Sequence, residues 1–404
     1  MKYNFDAVII GGGASGLMCA ISAKSNNPKM KVAIIEKNDR VGKKLLSTGN
    51  GRCNLTNRNV SADKYVGSFA EFSSAVFEKY NASSLLEYFD ALGLAAFCDS
   101  EGRYYPASKQ ASSVLDVLRF GCERLGVEIF CGQNIRSLTK TNNEFLIKTE
   151  NDVFAGKKLA LCCGSKAAPK LGGSASAADY LRNMGHRVVP FEPALCPVEV
   201  DSGILKSLKG LRAAGSATLL RNGKVIKKEN GEIQFTDSSL SGICVFNLSV
   251  YAQKGDVISL DIINYISNKE LFDRLKRNRE LFGKLGADNI FTGILQKRLA
   301  QAVLKKSGIT DFGVLTEALS DNQLKAITEN AKNLEFTVRG KGGFDKAQSA
   351  LGGVSGGELD AETMKSRIVD NLFVCGEAVD ICGECGGYNL HFAFASGIIA
   401  GESL

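Results

Sequence analysis

The segment CGECGGYN, residues 382–389, combines two cysteines three positions apart with two glycines, a tyrosine and an asparagine. Three kinds of chemistry fit these residue types. The cysteines can supply half of a zinc site, or they can cycle between dithiol and disulfide. Alternatively, a glycine pair that opens a helix can seat a flat cofactor, because no side chain blocks its approach.

A zinc site needs about four ligands, and Cys382 and Cys385 supply two of them. The sequence has no second C-x-x-C, and its histidines are His186 and His391, so we expect no metal. A redox role stays open for the cysteine pair and for Cys53, which lies in GNGRCNLTN. His391 is a candidate proton donor to a substrate, although a packed, hydrogen-bonded histidine explains the same position.

The opposite end of the chain contains a strand–turn–helix–strand pattern. FDAVII at residues 5–10 is typical of a buried strand, GGGASG follows at 11–16, and a helical pattern continues to about Ser25. KVAIIE at 31–36 then predicts a second strand. This order indicates a βαβ unit with a glycine turn at its first crossing.

The glycine turn has the form G-x-G-x-x-G at Gly11, Gly13 and Gly16. In order, these glycines allow a tight turn, a close approach of the backbone to a pyrophosphate, and close packing of helix on strand. Glu36 at the end of the second strand is placed to accept hydrogen bonds from a ribose. A second phosphate-facing strand end, in LFVCGEAVD at 372–380, favours the long FAD molecule over NAD.

The middle of the chain has a different pattern of residue types. Prolines at 190, 193 and 197 mark a boundary. Strand-like runs follow at 195–200, 215–221, 232–236, 243–249 and 257–263, which predict an antiparallel sheet or small barrel. Helical patterns then fill 268–332. We therefore predict an α/β FAD-binding Rossmann domain from residues 1–190 and 338–404, interrupted by a β-rich insert at 191–267 and a helical subdomain at 268–337.

The composition narrows the class of protein. With 44% apolar and 23% charged residues, the chain is typical of a globular protein. Its 50 basic and 43 acidic residues leave a net charge of +7, and the basic residues form only brief clusters, which argues against a nucleic-acid partner. No run of 18 apolar residues predicts a membrane span. Scattered cysteines and the absence of a secretion signal predict the cytoplasm, whereas the oligomeric state cannot be predicted.

Three segments together resemble one family. They are VIIGGGASGL with IIEKNDRVGKKLLSTGNGRCNLTN, GGFDKAQSALGGVSGGELDAETMKSR, and LFVCGEAVDICGECGGYNLHFAFASGIIAG. They are similar to the bacterial FAD-binding flavoproteins of the aminoacetone-oxidase family, also known as NAD(P)/FAD-dependent oxidoreductases, a group that includes a bile-acid-reducing flavoprotein of gut bacteria. The similarity spans nearly the whole chain and implies a glutathione-reductase-like FAD domain with a barrel-like insert and a helical subdomain.

The resemblance also implies which residues hold FAD. Adenosine and phosphate contacts fall on Gly11, Gly13, Ala14, Ser15, Gly16, Glu36, Lys37, Ile135, Cys163, Gly164 and Ser165. Contacts on the flavin side fall on Gly42, Lys43, Thr48, Gly49, Asn50, Gly51, Arg52, Gly387, Tyr388, Asn389 and Leu390. Contacts near the pyrophosphate and ribitol fall on Gly376, Glu377 and Asp380. A helix opening at Gly-Gly-Tyr-Asn would aim its N-terminus at the flavin N1–O2 edge and stabilise the charge of reduced flavin.

The leading hypothesis is an FAD-dependent oxidoreductase that passes hydride through flavin N5 from NAD(P)H to a small molecule with an activated C=C or C=N bond. NAD(P)H would bind transiently, since no second G-x-G-x-x-G occurs. Alternatives are an oxygen-using amine or hydroxy-compound oxidase, a dithiol–disulfide reductase using Cys382 and Cys385, a redox-sensing flavoprotein, and an enzyme acting on RNA. The insert departs from the usual FTHxGLSGP at Asp237, Ile243 and Cys244, which leaves the substrate open.

Overall fold

The computed structural model describes residues 1–141, 144–201 and 203–404. Its strands are β1 (Lys2–Ile10), β2 (Val32–Ile35), β3 (Thr56–Asn57), β4 (Tyr65–Val66), β5 (Ala96–Cys98), β6 (Arg103–Pro106), β7 (Glu128–Phe130), β8 (Ile135–Lys140), β9 (Phe145–Thr149), β10 (Val153–Leu161), β11 (Val188–Ala194), β12 (Val198–Asp201), β13 (Arg212–Arg221), β14 (Lys224–Phe235), β15 (Ser239–Ser241), β16 (Val257–Asp261), β17 (Leu334–Lys341), β18 (Ser349–Val354), β19 (Leu372–Val374) and β20 (Cys382–Gly383). Its α-helices are α1 (Ala14–Asn26), α2 (Lys43–Ser47), α3 (Ser73–Lys79), α4 (Ala82–Ala91), α5 (Ala111–Arg124), α6 (Ser176–Asn183), α7 (Leu205–Leu208), α8 (Ile243–Ser249), α9 (Asn268–Leu281), α10 (Lys297–Lys306), α11 (Asp321–Lys332) and α12 (Tyr388–Ser403).

The described chain divides into two compact units. The first consists of Met1–Ala194 and Ala347–Leu404, and the second of Leu195–Lys346. Most of the insert predicted for 191–267 and all of the helical subdomain predicted for 268–337 lie in the second unit, where barrel strands and helices share one hydrophobic core. The division between insert and helical subdomain stays a prediction.

The first unit is built on a seven-stranded sheet. Its strand order is β7-β2-β1-β10-β9-β8, and β19 also pairs with β10. The pairs β7–β2, β2–β1, β1–β10 and β10–β19 are parallel, whereas the pairs β10–β9 and β9–β8 are antiparallel. Strands covered on both faces are continuous apolar runs, as VAII of β2 is. The two ends of the sequence therefore meet in one Rossmann-type sheet, as predicted.

Helix α12 packs closely against α1 in this unit. A Cβ atom on Gly397 would lie 2.4 Å from the carbonyl oxygen of Ser15, and one on Gly401 would lie 2.4 Å from that of Cys19. Only glycine fits such a close approach of two backbones. The C-terminal helix, predicted as glycine-containing, is thereby fixed beside the helix that follows the dinucleotide motif.

The second unit contains a closed barrel of six strands in the order β12-β15-β14-β13-β16-β17, which confirms the predicted barrel-like insert. One element predicted for it is wrong, because 243–249 forms the helix α8 and not a strand. Gly242 starts the helix at φ +104°, and Cys244, Val245, Leu248 and Ser249 are buried. That spacing is helical, but an apolar run this short does not distinguish helix from strand by sequence alone.

Among the described residues, no helix combines the length and the apolar character needed to cross a bilayer.

Candidate functional site

The turn between β1 and α1 carries the three glycines of the dinucleotide motif. A Cβ atom on Gly16 would lie 1.9 Å from the carbonyl oxygen of Gly11, and one on Gly11 would lie 2.4 Å from that of Cys162. A Cβ atom on Gly13 would meet no described atom within 4 Å. Packing therefore requires two of the glycines, whereas Gly13 faces open space at the N-terminus of α1, where a pyrophosphate fits.

Glu36 follows β2 and is 7% exposed. Its Oε2 accepts a hydrogen bond of 2.8 Å from the N–H of Gly12, and its Oε1 accepts bonds of 2.8 Å from the backbone N–H and the side-chain amide of Asn38. A carboxylate offers about four acceptor positions, so one remains for a ribose hydroxyl. Glu36 thus ties the glycine turn to the end of β2, and Lys37 is exposed beside it.

The segment before β8 also bonds to the end of β2. The N–H of Gly132 donates to the carbonyl of Asn38 at 2.8 Å, and the N–H of Gln133 donates to that of Glu36 at 2.9 Å. Ile135, which begins β8, is half-buried. It lies two residues beyond a segment bonded to Glu36, and its contact with an adenine stays a prediction.

A cavity of about 400 Å³ follows along the chain. It is lined by Arg40, Lys43, Leu46, Ser47, Lys170 and Leu171. Three of these side chains are cationic, and the ammonium group of Lys43 lies 2.7 Å from Asp39 Oδ1, which balances one of the charges. The remaining positive charge suits a phosphate group.

The loop between α2 and β3 has an unusual backbone. Gly49, Asn50 and Gly51 have φ of +57°, +56° and +80°, and Cys53 follows at +59°. A left-handed conformation costs a residue other than glycine roughly 1–2 kcal/mol, so the surroundings must hold the loop in place. The carbonyl of Thr48 accepts the N–H of Cys53 at 3.0 Å and closes the loop.

Arg52 holds the same loop from its exposed side. Its Nε donates to the carbonyl of Gly49 at 3.2 Å. Its guanidinium carbon lies 5.0 Å from the ring centroid of Tyr105, which is within cation–π range. The side chain therefore stabilises the loop conformation directly, whatever it contributes to a ligand.

Glu377 joins three other segments of the first unit. Its Oε2 lies 2.5 Å from Lys44 Nζ and accepts the hydroxyl of Ser165 at 3.1 Å, while its Oε1 accepts the hydroxyl of Ser349 at 3.0 Å. These partners lie on α2, after β10 and on β18. The sequence prediction selected Lys43 and missed Lys44, because neighbouring lysines give no sign of which one faces inward.

The loop after β10 supplies the other predicted residues of this region. The thiol of Cys163 donates to the carbonyl of Ile10 at 3.5 Å, which holds the loop against the end of β1. Gly164 has φ +70°, and a Cβ atom there would lie 3.8 Å from Glu377 Oε2. The three predicted residues, Cys163 to Ser165, therefore lie between the glycine turn and Glu377.

Asp380 is buried, with 4% of its surface exposed. Its Oδ2 accepts the N–H of Ser68 at 2.9 Å, and its Oδ1 accepts the N–H of Gly352 at 2.9 Å. The nearby Gly376, at φ +61°, donates its N–H to the hydroxyl of Ser396 at 3.0 Å. The carboxylate of Asp380 therefore positions backbone segments, and about two acceptor positions remain for a ligand hydroxyl.

The start of α12 is held by bonds to neighbouring segments. The side chain of Asn389 both accepts the N–H of Gly383 at 2.9 Å and donates to its carbonyl at 2.8 Å. The hydroxyl of Tyr65 donates to the carbonyl of Tyr388 at 2.8 Å. Gly387 has φ +102°, and a Cβ atom there would lie 2.6 Å from the carbonyl oxygen of Thr56. Asn389 therefore acts as a support for the turn.

His391 is fully buried. Its Nε2 lies 2.9 Å from the carbonyl oxygen of Tyr80, which can only accept, so Nε2 carries the proton. Its Nδ1 then accepts the hydroxyl of Thr56 at 2.8 Å. Burial lowers the pKa of His391 to about 4. Because both nitrogens are used and the ring is neutral near pH 7, the structure favours the packed histidine over the proton donor.

None of the three candidate cysteines, Cys53, Cys382 and Cys385, forms a disulfide bond within the part of the chain that the structure describes. Cys53 and Cys382 are buried, and burial raises the pKa of each thiol to about 12. Cys385 is partly exposed, and its Sγ lies 3.9 Å from Gln348 Oε1. A thiolate is the reactive species in thiol exchange, and Cys53 and Cys382 are protonated at neutral pH. These two cysteines are therefore not activated for thiol exchange. Within the described ranges, no group of His, Cys, Asp and Glu residues could hold a metal ion.

All of the predicted cofactor residues lie in the first unit. Two observations there test whether FAD fits. Gly13 leaves open space at the N-terminus of α1, and the cavity described above is lined by the cationic side chains of Arg40, Lys43 and Lys170. An open glycine where phosphate is expected and a cationic cavity in the same unit are both consistent with a cofactor that contains phosphate groups.

The sequence matches the family described as HI0933-like protein Rossmann domain over residues 5–403, so the chain belongs to this family. It is 34% identical over 402 residues to a 3-dehydro-bile acid delta(4,6)-reductase from Clostridium scindens, with 98% of each chain covered. It is 27% identical over 402 residues to a ribosomal RNA dihydrouridine synthase from Escherichia coli, with 99% of this chain and 98% of that protein covered.

Among solved structures, the chain is similar to a 3-ketosteroid-delta4-(5alpha)-dehydrogenase from Rhodococcus jostii RHA1, with a TM-score of 0.50 and 12% identity. The match covers 99% of this chain and 96% of the other. At this identity the similarity supports the fold alone. Together with the family match, these findings confirm the predicted class, and the chain is an FAD-dependent oxidoreductase.

Proposed function

We propose that this chain is a bacterial, cytoplasmic enzyme that reduces a C=C bond conjugated to a carbonyl group in a small organic molecule, with NAD(P)H as electron donor. The observation that carries the proposal is the 34% identity, over 98% of both chains, to the 3-dehydro-bile acid delta(4,6)-reductase. In that name, 3-dehydro denotes a ketone and delta(4,6) denotes ring double bonds conjugated with it. Reduction of such a bond matches the activated acceptor expected from the sequence.

The residues of the first unit would hold the cofactor in an extended form. The glycine turn and the N-terminus of α1 would bind the pyrophosphate, and Glu36 would bind the adenosine ribose. Asp380 offers acceptor positions for ribitol hydroxyls, and the Glu377 cluster would fix the central region. Bound FAD would supply hydride transfer between the nicotinamide and the substrate.

The chain's own contribution to the chemistry would be electrostatic. Helix α12 has 16 residues and carries a partial positive charge at its N-terminus. The free N–H groups of this terminus would favour negative charge on a cofactor ring bound beside it, because they are fixed by the helix and need not reorganise. His391 and Cys382 add no titrating group near pH 7, so a proton for the substrate must come from elsewhere.

A second candidate substrate is a uracil base in ribosomal RNA. The E. coli and Haemophilus influenzae relatives, at 27% and 24% identity over nearly the whole chain, are both named ribosomal RNA dihydrouridine synthase. Dihydrouridine differs from uridine by two hydrogens across a C=C bond conjugated to a carbonyl. The chemistry is therefore shared with the first candidate, and the two differ in the size and charge of the substrate.

An anaerobic titration of the purified protein with NADH and NADPH tests the donor. We expect bound FAD whose visible absorbance is bleached by one of the two nucleotides. Reoxidation of the reduced protein is then followed with a 3-keto-4-ene steroid, with oxygen, and with ribosomal RNA from a strain that lacks the gene.

Rapid reoxidation by the steroid-like enone, without dihydrouridine formation, supports the small-molecule reductase. Dihydrouridine formation in the RNA, measured by mass spectrometry of nucleosides, supports the second candidate. Reoxidation by oxygen alone would favour an oxidase, and bound FAD that neither nucleotide reduces would contradict the proposed donor.

A further inference from the structure

The cationic cavity of the first unit is lined by Arg40, Lys43, Leu46, Ser47, Lys170 and Leu171. Three of these residues, Arg40, Ser47 and Lys170, are exposed, and the other three are half-buried. Its volume of about 400 Å³ lies within the range of small-molecule sites, which is roughly 300–1,000 Å³. A dissolved ligand can therefore enter this cavity without displacing protein atoms.

Helix α2 presents different faces to the cavity and to the Glu377 cluster. Lys43, Leu46 and Ser47 are spaced three and four positions apart, so they share one face of the helix, and all three line the cavity. Lys44 points about 100° further round the helix, and its Nζ lies 2.5 Å from Glu377 Oε2. Since the Glu377 cluster is the proposed site for the centre of FAD, the opposite group of side chains can bind a second ligand.

The charges around the cavity favour a doubly charged anion. Arg40, Lys43 and Lys170 are cationic, and Asp39 Oδ1 lies 2.7 Å from Lys43 Nζ, so the group has a net charge of +2. Within the described ranges, neither Arg40 nor Lys170 forms an ion pair or a side-chain hydrogen bond. A phosphate monoester carries a charge of about −1.5 to −2 at neutral pH, which matches this set of cations.

The apolar part of the lining fits a nucleotide better than inorganic phosphate. Leu46 and Leu171 are half-buried in the wall of the cavity, and the flat face of an adenine can pack on such side chains. Ser47, the last residue of α2, also lines the cavity, and the chain continues directly into 48–52, the loop predicted to line the flavin. A nucleotide held here therefore lies beside a segment that leads to the predicted flavin site.

We infer that this cavity binds the 2′-phosphate of NADPH, and that the protein therefore prefers NADPH to NADH as its donor. The two nucleotides differ only at this position, where NADH has a hydroxyl group. An arginine accommodates the 2′-phosphate in other dinucleotide-binding sites, and the guanidinium of Arg40 can bond two phosphate oxygens at once. This inference rests on the proposed NAD(P)H donor and specifies which of the two nucleotides it is.

Stopped-flow absorbance tests the preference, because it follows reduction of the bound FAD at several concentrations of each nucleotide. The wild type should bind NADPH at least about tenfold more tightly than NADH, which is the effect of one hydrogen bond to a charged group. Arg40→Ala and Lys170→Ala should each weaken NADPH binding by roughly the same factor. Binding of NADH should change by less than about twofold in both variants, because its hydroxyl group has no charge to attract.

Lys148→Ala is the matched control for the loss of a surface charge. Lys148 is an exposed residue of β9 and pairs with Val153, the first residue of β10, whereas Lys170 follows the other end of β10. This substitution should preserve the ratio of the two affinities. All three substituted side chains are exposed, so thermal unfolding of the variants should resemble that of the wild type.

Calorimetric titration with adenosine monophosphates gives a readout that needs no electron transfer. The oxidised, FAD-loaded wild type should bind adenosine 2′-monophosphate at least about tenfold more tightly than the 5′ isomer, and Arg40→Ala should lose this difference. Titration of the apoproteins with FAD, followed by flavin fluorescence, should give similar affinities for wild type and Arg40→Ala. If Arg40→Ala lost FAD affinity by the factor expected for NADPH, the cavity would belong to FAD and the inference would be wrong.

Equal use of NADH and NADPH by the wild type, or an unchanged ratio in Arg40→Ala and Lys170→Ala, would also overturn the inference while leaving the proposed function intact. If these variants kept the ratio but bound ribosomal RNA more weakly in a filter-binding assay, the cavity would instead bind phosphodiester groups of RNA. Failure of both nucleotides to reduce the bound FAD is a separate outcome, which would reject the proposed donor and the inference with it.

Discussion

Replacing Gly13 by alanine should weaken FAD binding without unfolding the apoprotein. Gly13 has φ −86° and ψ −166°, which alanine adopts freely, and its Cβ atom would meet no described atom within 4 Å. Alanine is a poorer N-cap than glycine by roughly 0.5–1 kcal/mol, but it also restricts the unfolded chain by about 0.4–1 kcal/mol. These terms offset each other, so we expect the melting temperature of the apoprotein to change by less than about 4 °C.

The bound state should respond differently to the same substitution. The added methyl group enters the space where the pyrophosphate approaches the backbone, and overpacking of a fitted contact costs about 1–3 kcal/mol. This corresponds to a rise in the FAD dissociation constant of roughly 5- to 150-fold. Fluorescence titration of the apoprotein with FAD measures this rise, and thermal unfolding without FAD measures the stability.

Gly16→Ala is the control for this experiment. Its Cβ atom would lie 1.9 Å from the carbonyl oxygen of Gly11, and a backbone atom cannot move aside cheaply. The apoprotein itself should therefore lose stability, by 1–3 kcal/mol or more as an order of magnitude. If Gly13→Ala bound FAD as tightly as the wild type while Gly16→Ala was destabilised, the pyrophosphate would not lie at Gly13 and the assignment of this site would be refuted.

Three further predictions concern His391, the cysteine pair and Lys44. Burial lowers the pKa of His391 to about 4, below its value of about 6.5 in the unfolded chain. The free energy of unfolding should therefore fall by up to about 3 kcal/mol as the pH drops from 6.5 toward 4. In His391→Gln, acid unfolding should lack this loss of stability between pH 6.5 and 4. Serine in place of Cys382 or Cys385 should hardly change the turnover rate. Loss of turnover in either variant would support the dithiol–disulfide reductase instead. Lys44→Met should speed FAD release in stopped-flow fluorescence but cost the apoprotein less than ~1 kcal/mol, because its ion pair with Glu377 is partly exposed.

The parts of the fold that were predictable are those in which local and long-range requirements agree. The first βαβ unit combines buried strands, a glycine turn and a terminal acid within about 30 residues, and the structure has each of them. The strand at 372–374 was also recognisable, because it is short, apolar and followed by Gly-Glu. Such segments carry their own boundary signals, so their type is apparent without knowledge of their neighbours.

The helix α8 shows why other elements were not predictable. Its sequence ICVFNLS is rich in β-branched and aromatic residues, which favour strands. The structure places it after Gly242, where a Cβ atom would lie 2.2 Å from the carbonyl oxygen of Glu232 on β14. The chain can therefore turn sharply after β15 only because residue 242 is glycine. Packing of the segment against β14 then overrides its local preference for a strand.

The same distinction applies to two asparagines in the segment from the loop after α2 to β3. Asn54 and Asn57 are the same residue type, both are buried, and they lie three positions apart. Asn57 finds the carbonyl of Gly386 within the chain, whereas no described donor reaches Asn54 Oδ1. Residue type and spacing therefore do not distinguish the two residues, because the difference depends on a hydrogen bond between segments more than 300 positions apart. The partners of buried polar atoms become apparent only when the segments that supply them are placed side by side.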